Sequence, residues 1–342
     1  MPEGPTLAEL GETELIRRLG AFAPRGQFDD DAALLGPALL GPAGGGGGTQ
    51  LVLNTDVLVE DVHFSAATMG AKDVGWRAAA ANLSDLAAMG CRDAVGLTVG
   101  LVAPGDTPWA WVEEAYIGLT QLLGAHGGVL LGGDCSGGRQ RLLAITAIGR
   151  LVGGQGGPIR RGDAQPGDQL VCTGAHGLSR LGLAVLRGEG LPALAPAVQE
   201  KAIRAHRRPV PRFDAVAALG ASRPGALPWR VGGCDSSDGL AAAAAAIAAS
   251  SGCGARLERT ALPLDPAMAG LPAAEAWCLG GGEDFELVLA LDPVWAEALI
   301  AALPGTTRIG ELVEGPAGNL GWSDGRPWPE PSSGIGGFQH FG

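Results

Sequence analysis

Apolar residues recur at helical spacing from Leu7 to Leu19, and beyond the glycine run Gly44 to Gly48 the chain alternates as a strand from Leu51 to Val59. That strand delivers Asp56. Asp73 to Met89 returns to the helical period with many alanines and stops at Gly90, a residue suited to the left-handed position past a helix end. This helix carries Asn82 and Asp85. Val95 to Val102 reads as a strand, and Thr107-Pro108 opens a helix to about Leu123 with a capping hydroxyl and a first-turn proline. Val129 to Leu131 is a short strand running into Gly132-Gly133-Asp134, and Leu142 to Val152 is another.

Composition changes over Gly153 to Pro158, which predicts a linker between residues 1–152 and 153–342. After it come a strand at Leu170 to Thr173, helices at Leu178 to Leu186 and Gln199 to His206, and a break at Pro209 and Pro211. A short strand then enters Asp235, followed by an Ala-rich helix from about Asp238 to Ser250 and strands at Ala255 to Glu258 and Phe285 to Leu291. The expectation is an α/β chain of the α+β kind, with mixed sheets in two domains.

At 342 residues, 24 Lys plus Arg against 36 Asp plus Glu leave a net charge of −12, which argues against a broad nucleic-acid footprint. No apolar run approaches the ~20 residues of a membrane span, and the acidic N-terminus lacks a basic leader, so a cytoplasmic protein is expected. The six cysteines form no C-x-x-C pair and read as buried free thiols. The two lysines, Lys72 and Lys201, satisfy neither a P-loop nor a protein-kinase strand motif. Phosphates would have to be handled by cations or arginine.

The aspartates carry the candidate chemistry. Asp30 and Asp31 precede Ala32-Ala33-Leu34-Leu35; Asp56 lies in a strand and Asp85 near a helix end; Asp134 follows a double glycine; Asp235 and Asp238 bracket two serines. Singly, each reads as a cap or turn residue, Asp238 as a good helix cap. Converging at one sheet edge, carboxylates ~5 Å apart would repel by about 3 kcal/mol at an effective dielectric near 20, which calls for divalent cations such as Mg2+. Gly132-Gly133 and Ser237-Asp238-Gly239 offer backbone amides to phosphate, Arg161 is a candidate phosphate clamp, and His63 is either a site residue or a half-buried structural histidine.

The strings FDDDAALL (28–35), NTDVLVEDVHF (54–64), NLSDLAAMG (82–90), GGD (132–134), RRGDAQPGD (160–168), HRRPVPR (206–212), DSSDGL (235–240), GGEDFEL (281–287) and FQHF (338–341) resemble the thiamine-monophosphate kinase family of the aminoimidazole ribonucleotide synthetase-like superfamily. The resemblance implies two α/β domains, the first contributing to a β-barrel at a homodimer interface. It implies a magnesium shell of Asp30, Asp31, Asn54, Thr55, Asp56, Asp85, Asp134 and Asp235, with Asp238 at a further cation. Gly133, Asp134, Arg161 and Ser237 would meet ATP; His63, Glu283 and Phe338 would meet thiamine monophosphate. Asp56, Asp134, Arg161 and Asp235 would be catalytic.

Four positions depart from the family pattern: Asp29 for a glycine, Asn54 for Ser or Thr, Phe338 without a hydroxyl, and Ser236 for an apolar residue. The implied reaction is direct, in-line phosphoryl transfer from ATP to thiamine monophosphate, assisted by several Mg2+ ions. The rivals are another ATP-dependent superfamily member acting on a different acceptor, and a non-catalytic Mg-nucleotide-binding protein.

Overall fold

A computed structural model describes residues 6–22, 29–35, 50–151 and 156–329. Its first part runs α1 (Leu7–Leu19), β1 (Ala33–Leu35), β2 (Gln50–Val59), α2 (Ala71–Ala88), β3 (Ala94–Ala103), α3 (Trp109–His126), β4 (Val129–Gly137) and β5 (Leu142–Leu151). These strands form one sheet in the order β1-β2-β5-β3-β4, antiparallel except for the β3/β4 pair. The second part runs β6 (Gln169–Cys172), α4 (Leu178–Leu186), α5 (Pro196–Arg207), α6 (Phe213–Ser222), β7 (Gly232–Asp235), α7 (Leu240–Ser250), β8 (Gly254–Leu257), α8 (Ala274–Gly280), β9 (Leu287–Leu291), α9 (Pro293–Ala302), β10 (Thr307–Val313) and β11 (Leu320–Trp322). Its sheet has the order β11-β8-β10-β6-β9-β7, with β11/β8 its parallel pair. The mixed α/β expectation therefore holds.

Two helices cover the inner face of the first sheet, and they meet backbone to backbone. A Cβ on Gly75 of α2 would stand 1.7 Å from the Ala115 carbonyl oxygen, and one on Gly118 of α3 would stand 1.8 Å from that of Lys72. Only glycine allows that approach. It draws Val74, Ala78, Leu119 and Leu122 into a core with Leu97, Val99, Leu143 and Ile145. At the end of α2 the N–H of Gly90 bonds Ala87 and that of Cys91 bonds Leu86, the paired closure expected of a glycine past the helix end.

The same core continues without a break into Val171, Phe213, Val216, Leu287, Leu289, Trp295 and Leu299 of the second part. Burial is thus shared between the two sheets. A further core lies between the second sheet and α7, around Leu240, Ile247, Leu257, Val288 and Ile309.

Several local expectations change. Gly11, at φ +68, kinks α1. Thr107 does not cap α3: Pro108 takes the cap position, and the Thr107 hydroxyl is buried without a hydrogen-bond partner. Nor does Asp238 cap α7, which begins at Leu240 with Gly239 before it. Strand β4 continues through Gly132-Gly133-Asp134 to Gly137, because pairing with β3 needs only backbone groups. Cys135 is exposed while the other five cysteines are buried. Of the expected linker, residues 156–158 have no regular structure and 153–155 lie outside the described residues, as do Gly44 to Gly48. Among the described residues, no helix is long and apolar enough to cross a membrane.

Candidate active site

Five carboxylates gather beside α2, where β2 of the first sheet and β7 of the second both approach it. Asp56 and Asn54 project from the inner face of β2 toward α2: Asn54 Nδ2 donates to Asp85 Oδ2 at 2.6 Å, and the Asp56 N–H donates to Asn82 Oδ1 at 3.2 Å. Asp235, at the end of β7, accepts from Ser84 of α2 at 2.7 Å and from the Ser237 hydroxyl at 3.0 Å. Asp31 accepts the Asp235 N–H at 3.2 Å and pairs with the Arg161 guanidinium, while Asp30 accepts the Arg161 N–H at 2.8 Å.

Crowding shows in the electrostatics. Burial, then the charges of Asp56, Asp235 and Asp31, hold Asp85 well above the usual carboxylate range. Burial and the Asp235 charge push Asp31 up to about 7 in spite of Arg161. Asp30 is raised by burial. Burial works against the charge of Arg161, but Asp31 and its neighbours outweigh it and raise its pKa. Such a group gains from added positive charge.

The donor set here is all oxygen, as a hard divalent cation prefers, and it includes Asn54 Oδ1, a buried acceptor without a hydrogen-bond partner. Among the described residues no three His, Cys, Asp or Glu side chains stand close enough to hold a metal by themselves. A Mg2+ at Asp31, Asp56, Asp85 or Asp235 would therefore share its coordination with substrate phosphates and water, as this ion commonly does.

Period-two alternation separates other residues from this group. Thr55 points to the outer face of the first sheet, where its hydroxyl lies 2.8 Å from that of Thr146. Asp134 pairs in register with Gly100, and Gly100 with Ala144, which puts it on that outer face too; Gly133, opposite Val99, faces inward. Asp238 is exposed in the turn before α7, beside Ser237. His63 follows β2, its Nδ1 accepting the Val59 N–H at 3.0 Å. Glu283 pairs with Arg77 of α2, and its N–H donates to the Ser237 carbonyl at 2.7 Å. Phe338 lies outside the described residues.

Sequence reasoning missed Ser84, Arg77 and His206. The usable signal was an arginine placed directly before the alanine run 78–81 in a helix whose middle is buried.

The family model described as "AIR synthase related protein, N-terminal domain" matches residues 29–151, and its C-terminal counterpart matches 165–323. The chain is 46% identical to a thiamine-monophosphate kinase of Synechococcus elongatus, covering 98% of both chains. It is 44% identical to that of Prochlorococcus marinus, over 93% of each. The chain belongs to the thiamine-monophosphate kinase family. Among solved structures of thiamine-monophosphate kinases, that of "AaThiL complexed with AMPPCP and TMP" superposes with a TM-score of 0.82 at 27% identity, covering 99% of this chain and 100% of that one. E. coli HypE shares the fold, with a TM-score of 0.63 at 22% identity over 95% of this chain and 100% of its own.

Proposed function

We propose that the chain transfers the γ-phosphoryl group of ATP to the phosphate of thiamine monophosphate, giving thiamine diphosphate and ADP. The observation that carries this reading is the convergence of Asp31, Asp56, Asp85 and Asp235 with Arg161 beside α2. It is supported by a solved likeness that holds AMPPCP, which keeps the triphosphate form of ATP, together with TMP. A phosphate monoester has its second pKa near 6 and is mostly dianionic at pH 7, so the acceptor needs no general base. The obstacle is repulsion between two polyanions. Mg2+ held by these carboxylates would neutralise charge on the transferring group and keep the attacking and leaving oxygens in line.

In this reading Arg161 clamps phosphate oxygens, Gly133 and Ser237 lie against ATP, and His63, Glu283 and Phe338 receive the thiamine end. Asp238 keeps its place at a further cation, while Thr55 and Asp134, on the outer face of the first sheet, would hold a cation apart from the Asp31, Asp56, Asp85 and Asp235 group. A purified sample given ATP, Mg2+ and thiamine monophosphate should form thiamine diphosphate, read by chromatography against thiamine and EDTA controls. D56N should lower turnover at least ~100-fold. Near-normal turnover in D56N would overturn the assignment of the site.

The outer face of the first sheet bears Val57 and Val95 at 41% and 36% exposure. A second copy covering it would form the family's homodimer. Sedimentation should give twice the chain mass, and V57R should shift it toward monomer; a monomeric parent protein refutes the pairing.

A further inference from the structure

Arg77 lies among the mostly small and apolar buried residues of α2, and its side chain is 2% exposed. A buried guanidinium is strongly unfavourable unless its donors are met. Nη2 pairs with the Glu283 carboxylate; Nη1 donates to the His206 carbonyl at 3.1 Å and faces the ring nitrogens of His206 at 3.2 and 3.3 Å. Burial and the surrounding arginines hold His206 down to about pKa 3, so its ring is neutral and can accept. His206 Nδ1 stands 3.3 Å from Ser179 Oγ, and the Ser179 N–H donates to Asp284 Oδ1 at 3.0 Å. Because Asp284 follows Glu283, the contacts close a ring through α2, α5, α4 and the loop 281–286.

That loop is strained. Gly282, Glu283 and Phe285 are left-handed, at φ +66, +59 and +52. Each non-glycine residue there costs about 1–3 kcal/mol and persists only when its surroundings over-determine it. We propose that Arg77 is a positioning residue for the acceptor: through this ring it aims Glu283 at the thiamine end and thereby sets affinity for a cationic acceptor. The inference rests on the placing of Glu283 against thiamine monophosphate given above. Arg77 itself touches no reacting atom.

The test is a kinetic split on the full chain. R77M should raise KM for thiamine monophosphate about tenfold or more while KM for ATP and kcat stay within about threefold; R77K, which keeps a charge without the fork, should recover part of the loss. E283Q should act alike, and the R77M/E283Q double variant should be no worse than the poorer single. Equal rises in both KM values, an unchanged acceptor KM, or additive effects would overturn the proposal. Should R77M fail to fold, R77K and E283Q carry the comparison, and a non-selective loss in both overturns it. If the parent protein neither binds nor converts thiamine monophosphate, the functional reading fails by itself. Hydrogen exchange over 281–286 then decides for Arg77: faster exchange in R77K supports positioning, and unchanged protection refutes it.

Discussion

Asp85 sits where its charge is opposed: burial first, then the charges of Asp56, Asp235 and Asp31, raise its pKa, while the hydrogen bond from Asn54 lowers it. Removing that charge while keeping the shape relieves repulsion and deletes a cation ligand at once. D85N is therefore expected to raise Tm by about 2–4 °C at pH 7.5 and to lower turnover about 100-fold. Calorimetry and the chromatographic assay check the two halves, and a destabilised D85N would refute the repulsion. At this scale the sequence was informative in part. Aspartates at element ends marked the cluster, but alternation along β2 separates Thr55 from Asn54 and Asp56, a division that adjacency in sequence conceals. Arg77 and His206 were given no role because their contacts are remote in sequence: Glu283 lies 206 positions from Arg77, and His206 lies 129 from it.

Elements are joined by caps from elsewhere in the chain. Asp284 accepts the N–H groups of Gly177 and Ser179 at the start of α4, at 2.7 and 3.0 Å, and burial pushes its carboxyl up to about 7. An acid raised from an ordinary value of 3.8 takes up a proton on folding, so its contribution to stability is greatest below pH 3.8 and is lost as pH rises to about 7. D284N lacks this titration. The stability of D284N relative to the parent should therefore climb between pH 4 and 7, by up to about 1.4 kcal/mol per pH unit, in urea melts; a flat difference would refute it. At the crossing of α2 and α3, G75A should cost about 3 kcal/mol, since the added methyl meets backbone that cannot swing aside. A parent-like urea midpoint in G75A would refute that contact. Strong periodicity made α2, β2, β3 and β5 legible. Helices α6 and α9 and strands β10 and β11 were not, because their apolar residues are set by tertiary burial instead of a long regular pattern.

Across the whole molecule, the largest core passes from the first sheet through Ile159 into α6, β9 and α9. One cooperative heat-unfolding transition is expected, and residues 156–342 expressed alone should lack fixed tertiary structure, having exposed Phe213, Leu287 and Trp295. Two resolved calorimetric peaks would refute that coupling. The shared core was not legible in the sequence, since it depends on which faces meet.

That shared core also bears on synthesis. Trp295 and Leu299 leave the ribosome some ~150 residues after the first sheet is finished, a delay on the order of ten to thirty seconds at roughly 5–20 residues per second. During that interval the nascent first half carries apolar surface whose cover is completed only when β9 and α9 emerge. Fast translation, a low temperature or a trigger-type holdase would then govern how much chain reaches its native state, and soluble yield would respond to those conditions more than to changes on the finished surface.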